Sequence, residues 1–190
     1  MTGHEREHSV AEEAGMNVLV TSISKKVPVL QAVRKAMAKL GGDNRLFGAD
    51  LDPGCIGSYF VDAFWKMPRT SELSAEELID YCRRNGIRAI IPTRDGELGC
   101  FAVMASRLRK EGISVMISGP KAVEACTDKL LFSRLLRNRG IPAISTSERI
   151  DELQASVYVV KERFGAGARR IGLGLLREDA IRHAETLESP

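Results

Sequence analysis

Short apolar, β-branched runs alternate with stretches of helical periodicity between residues 16 and 120, and few folds accommodate that alternation. Asn17–Ile23 (NVLVTSI) has the composition of a buried strand, bounded by Ser24, Lys25 and Lys26. Val29, Leu30, Val33, Ala36, Met37 and Leu40 then recur at helical spacing, which predicts a helix over Val27–Leu40 stopped by Gly41-Gly42. The pattern repeats. Strands are expected over Arg45–Ala49, around Tyr59–Trp65, over Arg88–Ile91 and over Ser114–Ile117. The intervening helices are one capped by Ser74, with Glu77 three residues on, running to Arg84, and one over Glu97–Lys110. Strands and helices in strict alternation imply an α/β fold, a parallel sheet with helices on both faces.

In such a sheet, ligands bind beyond the carboxyl ends of the strands. Three loops fall there: Thr21–Lys26, Asp50–Ser58 and Thr93–Glu97. They are candidate substrate contacts, with Asp95 and Glu97 the polar residues singled out, although Asp and Gly in such loops also serve simply to make turns.

Composition narrows the function classes. The 28 Lys and Arg against 25 Asp and Glu leave a net charge of +3 that is spread along the sequence and forms no basic block, which argues against a nucleic-acid surface. Four cysteines (Cys55, Cys82, Cys100, Cys126) form no CxxC pair and have no histidines nearby to complete a zinc site, so they read as reduced thiols and the expected location is the cytoplasm. No apolar run approaches the ~20 residues of a membrane span, and no membrane association is expected. Residues 1–15, polar and acidic, read as a disordered leader without the apolar core of a signal peptide.

After Pro120 the character changes. Helical segments over Lys121–Cys126 and Asp128–Asn138 end at Arg139-Gly140, and a polar stretch, Ser145–Ser156, leads to VYVVKERFGAGARRIGLGL. Val157–Val160 suits a buried strand that delivers Lys161 at its end. Gly165-Ala166-Gly167-Ala168 is a loop of small residues, and Arg169-Arg170 precede a second apolar run, Ile171–Leu175. Strand, glycine loop and strand make a hairpin whose backbone amides can close over an anion such as polyphosphate, with lysine and arginine offsetting its charge. A glycine-rich hairpin can equally be an ordinary turn. Two better-known phosphate motifs are not met: the dinucleotide fingerprint needs a helix after its glycines, where IGLGL follows here, and a P-loop needs Gly-Lys-Ser/Thr, where Ala168-Arg169 follow Gly167.

The segments NVLVTSISKKVPVLQAVRKA, IIPTRDGELGCFA, ISGPKAVEACTDKLLFSRLLRNRGIPAIST and VYVVKERFGAGARRIGL, taken in this order, resemble ATP-grasp proteins, in particular those similar to the large subunit of carbamoyl-phosphate synthetase. The resemblance covers Met16–Leu176. It implies a Rossmann-like pre-ATP-grasp lobe over residues 16–120, followed over 121–190 by the first, incomplete part of an ATP-grasp domain with its glycine-loop hairpin. It also implies that Lys129 and Lys161 contact ATP phosphates or the adenine edge, and that Gly165, Ala166, Gly167 and Ala168 form a flap over the β- and γ-phosphates. Where family members often carry proline after the loop lysine, this chain has Glu162, which brings a carboxylate near the phosphates.

The activity so implied is ATP-dependent carboxylate activation through an acyl phosphate, then ligation to an amine or similar nucleophile. The cofactors are ATP and Mg2+, the magnesium ligands being absent from these 190 residues. The partners are small-molecule substrates and either a second chain or the missing C-terminal half, with a homodimer also open. No catalytic residue and no metal ligand is assigned: His4 and His8 lie in the leader and His183 on the last expected helix. A non-catalytic Rossmann-like nucleotide- or metabolite-binding module is the alternative. The ligase-fragment reading expects an uncovered apolar face on the Val157–Leu175 hairpin, where further structure would pack.

Overall fold

The computed structural model describes residues 15–165 and 167–189; residues 1–14 of the expected leader, and Ala166 of the glycine loop, lie outside the described residues. The chain folds as two compact units. One carries the residues up to Thr93 with Arg107–Met116, and the other carries Arg94–Ser106 with the residues from Ile117 on.

The first unit is a five-stranded parallel sheet in the order β3-β2-β1-β4-β5, with β1 Asn17–Thr21, β2 Leu46–Asp50, β3 Ala63–Lys66, β4 Ile87–Ile91 and β5 Ser114–Val115. Helices α1 (Val27–Leu40), α2 (Ala75–Arg84) and α3 (Asp95–Lys110) make the connections. The path runs from β1 outward to β3, then jumps back to β4 on the other side of β1. Because such crossovers are right-handed, this reversal sends α1 to one face and α2 to the other.

Side-chain alternation along the strands agrees. Val18 and Val20 of β1 and Leu46 of β2 cluster with Ile23, and with Leu30 and Met37 of α1. The intervening Leu19, Phe47 and Ile90 are also buried, and Phe47 meets Tyr81 of α2 edge-on at 6.5 Å. Tyr81 in turn stacks on Trp65 of β3 at 4.0 Å, and burial pushes its phenol pKa up. Each fully buried Leu, Ile or Phe contributes roughly 1.5–3 kcal/mol, so the two faces share the stabilisation of the sheet.

Polar side chains fix the strand ends. Asn17 Nδ2 donates to Asn85 O (2.7 Å) while its Oδ1 accepts from Arg45 N (2.8 Å), tying the start of β1 to both neighbours. Asp62 accepts from Leu46 N (2.7 Å) and pairs with Arg34 of α1 (3.0 Å). Ser74 caps α2 by accepting from Glu77 N (3.1 Å), as its spacing predicts.

The sequence expectation departs most from the structure between Asp50 and Trp65. Asp52 accepts from Gly54 N (2.9 Å), its carbonyl accepts from Cys55 N, and the chain tightens into a 3-10 turn over Ile56–Phe60 before β3 begins at Ala63. Gly57 is pressed there against the Ile23 backbone: a Cβ on it would lie 2.3 Å from Ile23 O. Strand-like composition around Tyr59 therefore reflects a turn packed under α1, with Tyr59 itself outside.

In the second unit, α4 (Pro120–Thr127) and α5 (Lys129–Asn138) are followed by irregular chain and a short 3-10 turn at Ile150–Glu152. An antiparallel hairpin of β6 (Tyr158–Val160) and β7 (Gly172–Leu175) and a last helix, α6 (Arg177–Ala184), complete it. The expected glycine hairpin is present. Helix α6 packs on it: Tyr158 and Ala180 are buried, and a Cβ on Gly172 would meet the His183 ring at 2.9 Å. Val157, Val159 and Leu173 are 55%, 60% and 70% exposed. None of the four cysteines is in a disulfide; Cys55 and Cys82 are buried, Cys100 half-buried and Cys126 exposed. Among the described residues no helix is long and apolar enough to cross a membrane.

Candidate functional site

The loops at the carboxyl ends of β1, β2 and β4 are held together by short polar contacts. Thr93 Oγ1 donates to Thr21 O (2.7 Å), and an Asp50 carboxylate oxygen accepts from Ser24 N (2.9 Å). Ser22 takes a positive φ of 53° at the turn out of β1. Asp95 is exposed at the first turn of α3, whereas Glu97 is fully buried and accepts from Arg94 N at 3.0 Å. With Glu97 holding the N–H of Arg94 from inside the first turn, α3 starts at Asp95, two residues before the sequence periodicity does.

The second unit holds the glycine loop and two cavities. Positive φ angles occur at Gly165 (92°), Gly167 (80°), Ala168 (54°) and Arg170 (51°), so the loop departs repeatedly from ordinary backbone, twice at residues with a Cβ. Beneath it lies a cavity of about 520 Å³ bordered by the cations Lys129, Lys161, Arg169 and Arg170 and by the carboxylates Glu162 and Glu188. A second cavity of about 980 Å³ has mainly aliphatic walls, including Ile144, Ile150, Leu153, Val159 and Ile181. Lys129 and Lys161 border both. An apolar cleft of this size that meets a cationic one at two lysines suits a ligand with a flat organic part and an anionic tail.

Lys129 opens α5, where a cation opposes the helix dipole. The structure resolves that conflict locally. Its Nζ donates to Gly165 O (2.9 Å) and Arg163 O (3.2 Å), and its own N–H donates to Arg163 O (3.2 Å). Burial lowers the Lys129 pKa, the charge of Lys161 lowers it further, and Asp95, Glu162 and Asp128 act in the opposite sense. Lys161 stands exposed at the end of β6.

Asp128 organises this corner. One of its oxygens accepts from Leu130 N and Leu131 N (3.0 Å each), capping α5, and both oxygens accept from the Arg163 guanidinium (3.0 and 2.6 Å). Arg163 also pairs with Glu148, and its charge sits over the Phe164 ring at 5.2 Å. The Arg163 guanidinium holds the Asp128 carboxyl down to about 2, below its ordinary 3.8, and Asp128 raises the Arg163 pKa in return. Sequence reasoning placed Asp128 at a helix start and singled out Lys129, but missed this role of Arg163. An Asp directly before a helix was the available signal for the cap; its partner 35 residues on had none.

Glu162 turns to the backbone beyond α6, accepting from Glu188 N (3.1 Å) and Ser189 N (2.9 Å). Arg170 lies 4.0 Å from Glu162 and 3.5 Å from Glu188. His183 Nε2 is 2.9 Å from Arg170 O, so it braces the base of the loop. Among the described residues, no three His, Cys, Asp or Glu side chains are grouped so as to hold a metal ion.

Three solved structures show where this architecture recurs. The biotin carboxylase domain of Hydrogenobacter thermophilus 2-oxoglutarate carboxylase, in complex with ADP, MgADP and bicarbonate, is 20% identical with a TM-score of 0.62; the match covers 89% of this chain and 39% of that one. N5-carboxyaminoimidazole synthetase from Staphylococcus aureus, complexed with ADP, is 16% identical with a TM-score of 0.64, covering 90% and 44%. A biotin carboxylase–β-γ-ATP complex from Campylobacter jejuni is 16% identical with a TM-score of 0.61, covering 88% and 40%. The chain thus spans about two-fifths of the length of these structures. No curated protein sequence matches it. At these identities the likeness establishes the fold alone. Residues 18–116, just over half of the chain, match the family described as PylC-like, N-terminal domain, and the chain belongs to that family.

Proposed function

We propose that this chain is the N-terminal part of an ATP-grasp ligase that holds the phosphates of ATP for carboxylate activation through an acyl phosphate and ligation to an amine or similar nucleophile. The observation that carries the reading is the pair of lysines, Lys129 and Lys161, standing where the aliphatic cavity meets the cationic cavity under the glycine loop. The base and sugar would occupy the larger cavity. The phosphates would lie under the loop against Lys129, Lys161, Arg169 and Arg170, whose charges offset theirs in a partly screened site. Bound ATP supplies the phosphoryl group. The chain's own residues bind and orient it, and Lys129 spans the floor and the loop. Magnesium, expected for such ligases, has no ligand set among the described residues.

Val157 and Val159 border the larger cavity, but Leu173 of β7, 70% exposed, lies outside both cavities and is left uncovered, which favours this reading over a self-contained binding module. That surface would receive further structure of the domain or of a second chain. Calorimetry with ATP, with and without Mg2+, tests the proposal on this chain and on Lys161→Ala. Loss of Lys161 is expected to weaken ATP by about tenfold or more, as removing a charge-assisted phosphate contact does. Equal affinity in the two proteins would refute the placement of phosphates under the loop.

A further inference from the structure

The cavity under the glycine loop already contains an anion of its own. Glu162 stands 22% exposed among Lys129, Lys161, Arg169 and Arg170, and both of its oxygens are committed to the backbone N–H groups of Glu188 and Ser189. A second bond fixes the same segment, since Arg163 N donates to Ser189 O at 2.5 Å. The segment is thereby drawn along the cavity wall, and Glu188 reaches Arg170, the last cation of the loop, at 3.5 Å. Two carboxylates and a stretch of backbone thus occupy the border of the space that a polyphosphate would fill.

We propose that Glu162 and the Glu188-Ser189 segment form an internal latch that competes with anionic ligands for the glycine-loop cavity. The inference rests on the reading of this cavity as the phosphate site and deepens it: the latch sets how tightly the site takes a polyanion. Two elements act differently. Glu162 is the fixed part, holding the segment in place through two hydrogen bonds and opposing an incoming anion by charge. Glu188, 85% exposed, is the movable part, engaging Arg170 through an ion pair that solvent and salt weaken readily. An arriving phosphate would take Arg170 from Glu188 and, by repelling the Glu162 carboxylate, loosen its hold on the Glu188 and Ser189 N–H groups. The carboxylate directly after Lys161, where similar proteins often carry proline, thereby gains a physical role.

The test uses inorganic tripolyphosphate, which carries the charge without the base, and the proteins Glu162→Gln, Glu188→Gln and Lys161→Ala beside the parent. Glu162→Gln keeps one acceptor for the backbone, and Glu188→Gln alters an exposed side chain with no backbone contact, so at least one tests the charge without risk to the fold. Binding is read by calorimetry at low salt, and amide exchange of Glu188 and Ser189 is followed with and without the probe. Each Glu→Gln change is expected to tighten tripolyphosphate by roughly 3- to 10-fold, the effect of removing one charge a few ångströms away in a partly solvated cleft. The probe is expected to accelerate exchange at Glu188 and Ser189 in the parent. Unchanged or weaker affinity in both Gln proteins, or unaltered exchange at saturation, while Lys161→Ala still loses binding, overturns the latch and leaves the phosphate site standing. Failure of every protein to bind overturns both.

Discussion

Replacing Gly57 by alanine tests the packing of the first unit directly. The added Cβ would fall 2.3 Å from Ile23 O and 2.9 Å from Ile23 C, both backbone atoms of the segment leaving β1. Real Cβ atoms do not approach backbone so closely, so either the 3-10 turn or the β1 exit must move. Gly57 is not in a left-handed conformation, and the penalty is therefore steric. Overpacking of this kind typically costs about 1–3 kcal/mol, and the upper half of that range applies because neither contact ends on a flexible side chain. Gly48→Ala is the control: its Cβ would meet Ile23 Cδ1 at 2.5 Å and Val61 Cγ1 at 2.8 Å, side-chain atoms that can shift, so about 1 kcal/mol is expected. Trp65, the single tryptophan, stacks on Tyr81 within the same unit and reports its unfolding by fluorescence. With a urea dependence of roughly 1–3 kcal/mol/M, the Gly57→Ala midpoint should drop by about 1 M. A drop at Gly57 smaller than at Gly48 would refute the reasoning.

Asp128→Ala should speed amide exchange at Leu130 and Leu131 and cost about 0.5–2 kcal/mol through the lost cap, whereas Asp128→Asn, still a good cap, should keep most of that protection. The depressed Asp128 pKa carries a pH signature: its stabilisation is complete above pH ~4, the unfolded value, and is lost as pH falls toward about 2, so Arg163→Met should raise the pH at which α5 exchange accelerates. Thiol labelling of the native protein should modify Cys126 first and leave Cys82 untouched until unfolding, because Cys82 is buried and its pKa is pushed up to about 12. Native labelling of Cys82 at a rate comparable with Cys126 would contradict its burial.

Local patterns with their own punctuation were readable from the sequence. The helix over Val27–Leu40 lies where periodicity and Gly41-Gly42 put it, and the Ser74 cap follows from a four-residue motif. The glycine hairpin was legible because two β-forming runs flank small residues. Misplacement of the third strand has a plain cause: Tyr59 and Phe60 have strand composition, but the Asp52 turn curls them into 3-10 geometry. At the candidate site, the lysines were picked out by type and order. The Asp128–Arg163 pair and the clasp of Glu162 on the chain beyond α6 depend on partners 35 and 26 or more residues away, where no periodicity links them.

The bare side of the hairpin has a consequence for handling the protein in solution. Val157–Val160 is a short apolar β-former on a two-stranded ribbon, with Val157 and Val159 facing water, a combination that templates strand pairing between molecules. The chain sets charges directly after it, Lys161, Glu162 and Arg163, as gatekeepers against stacking. Neutralising Lys161 to probe nucleotide contacts therefore also lowers a colloidal barrier, so light scattering belongs beside every titration of that variant.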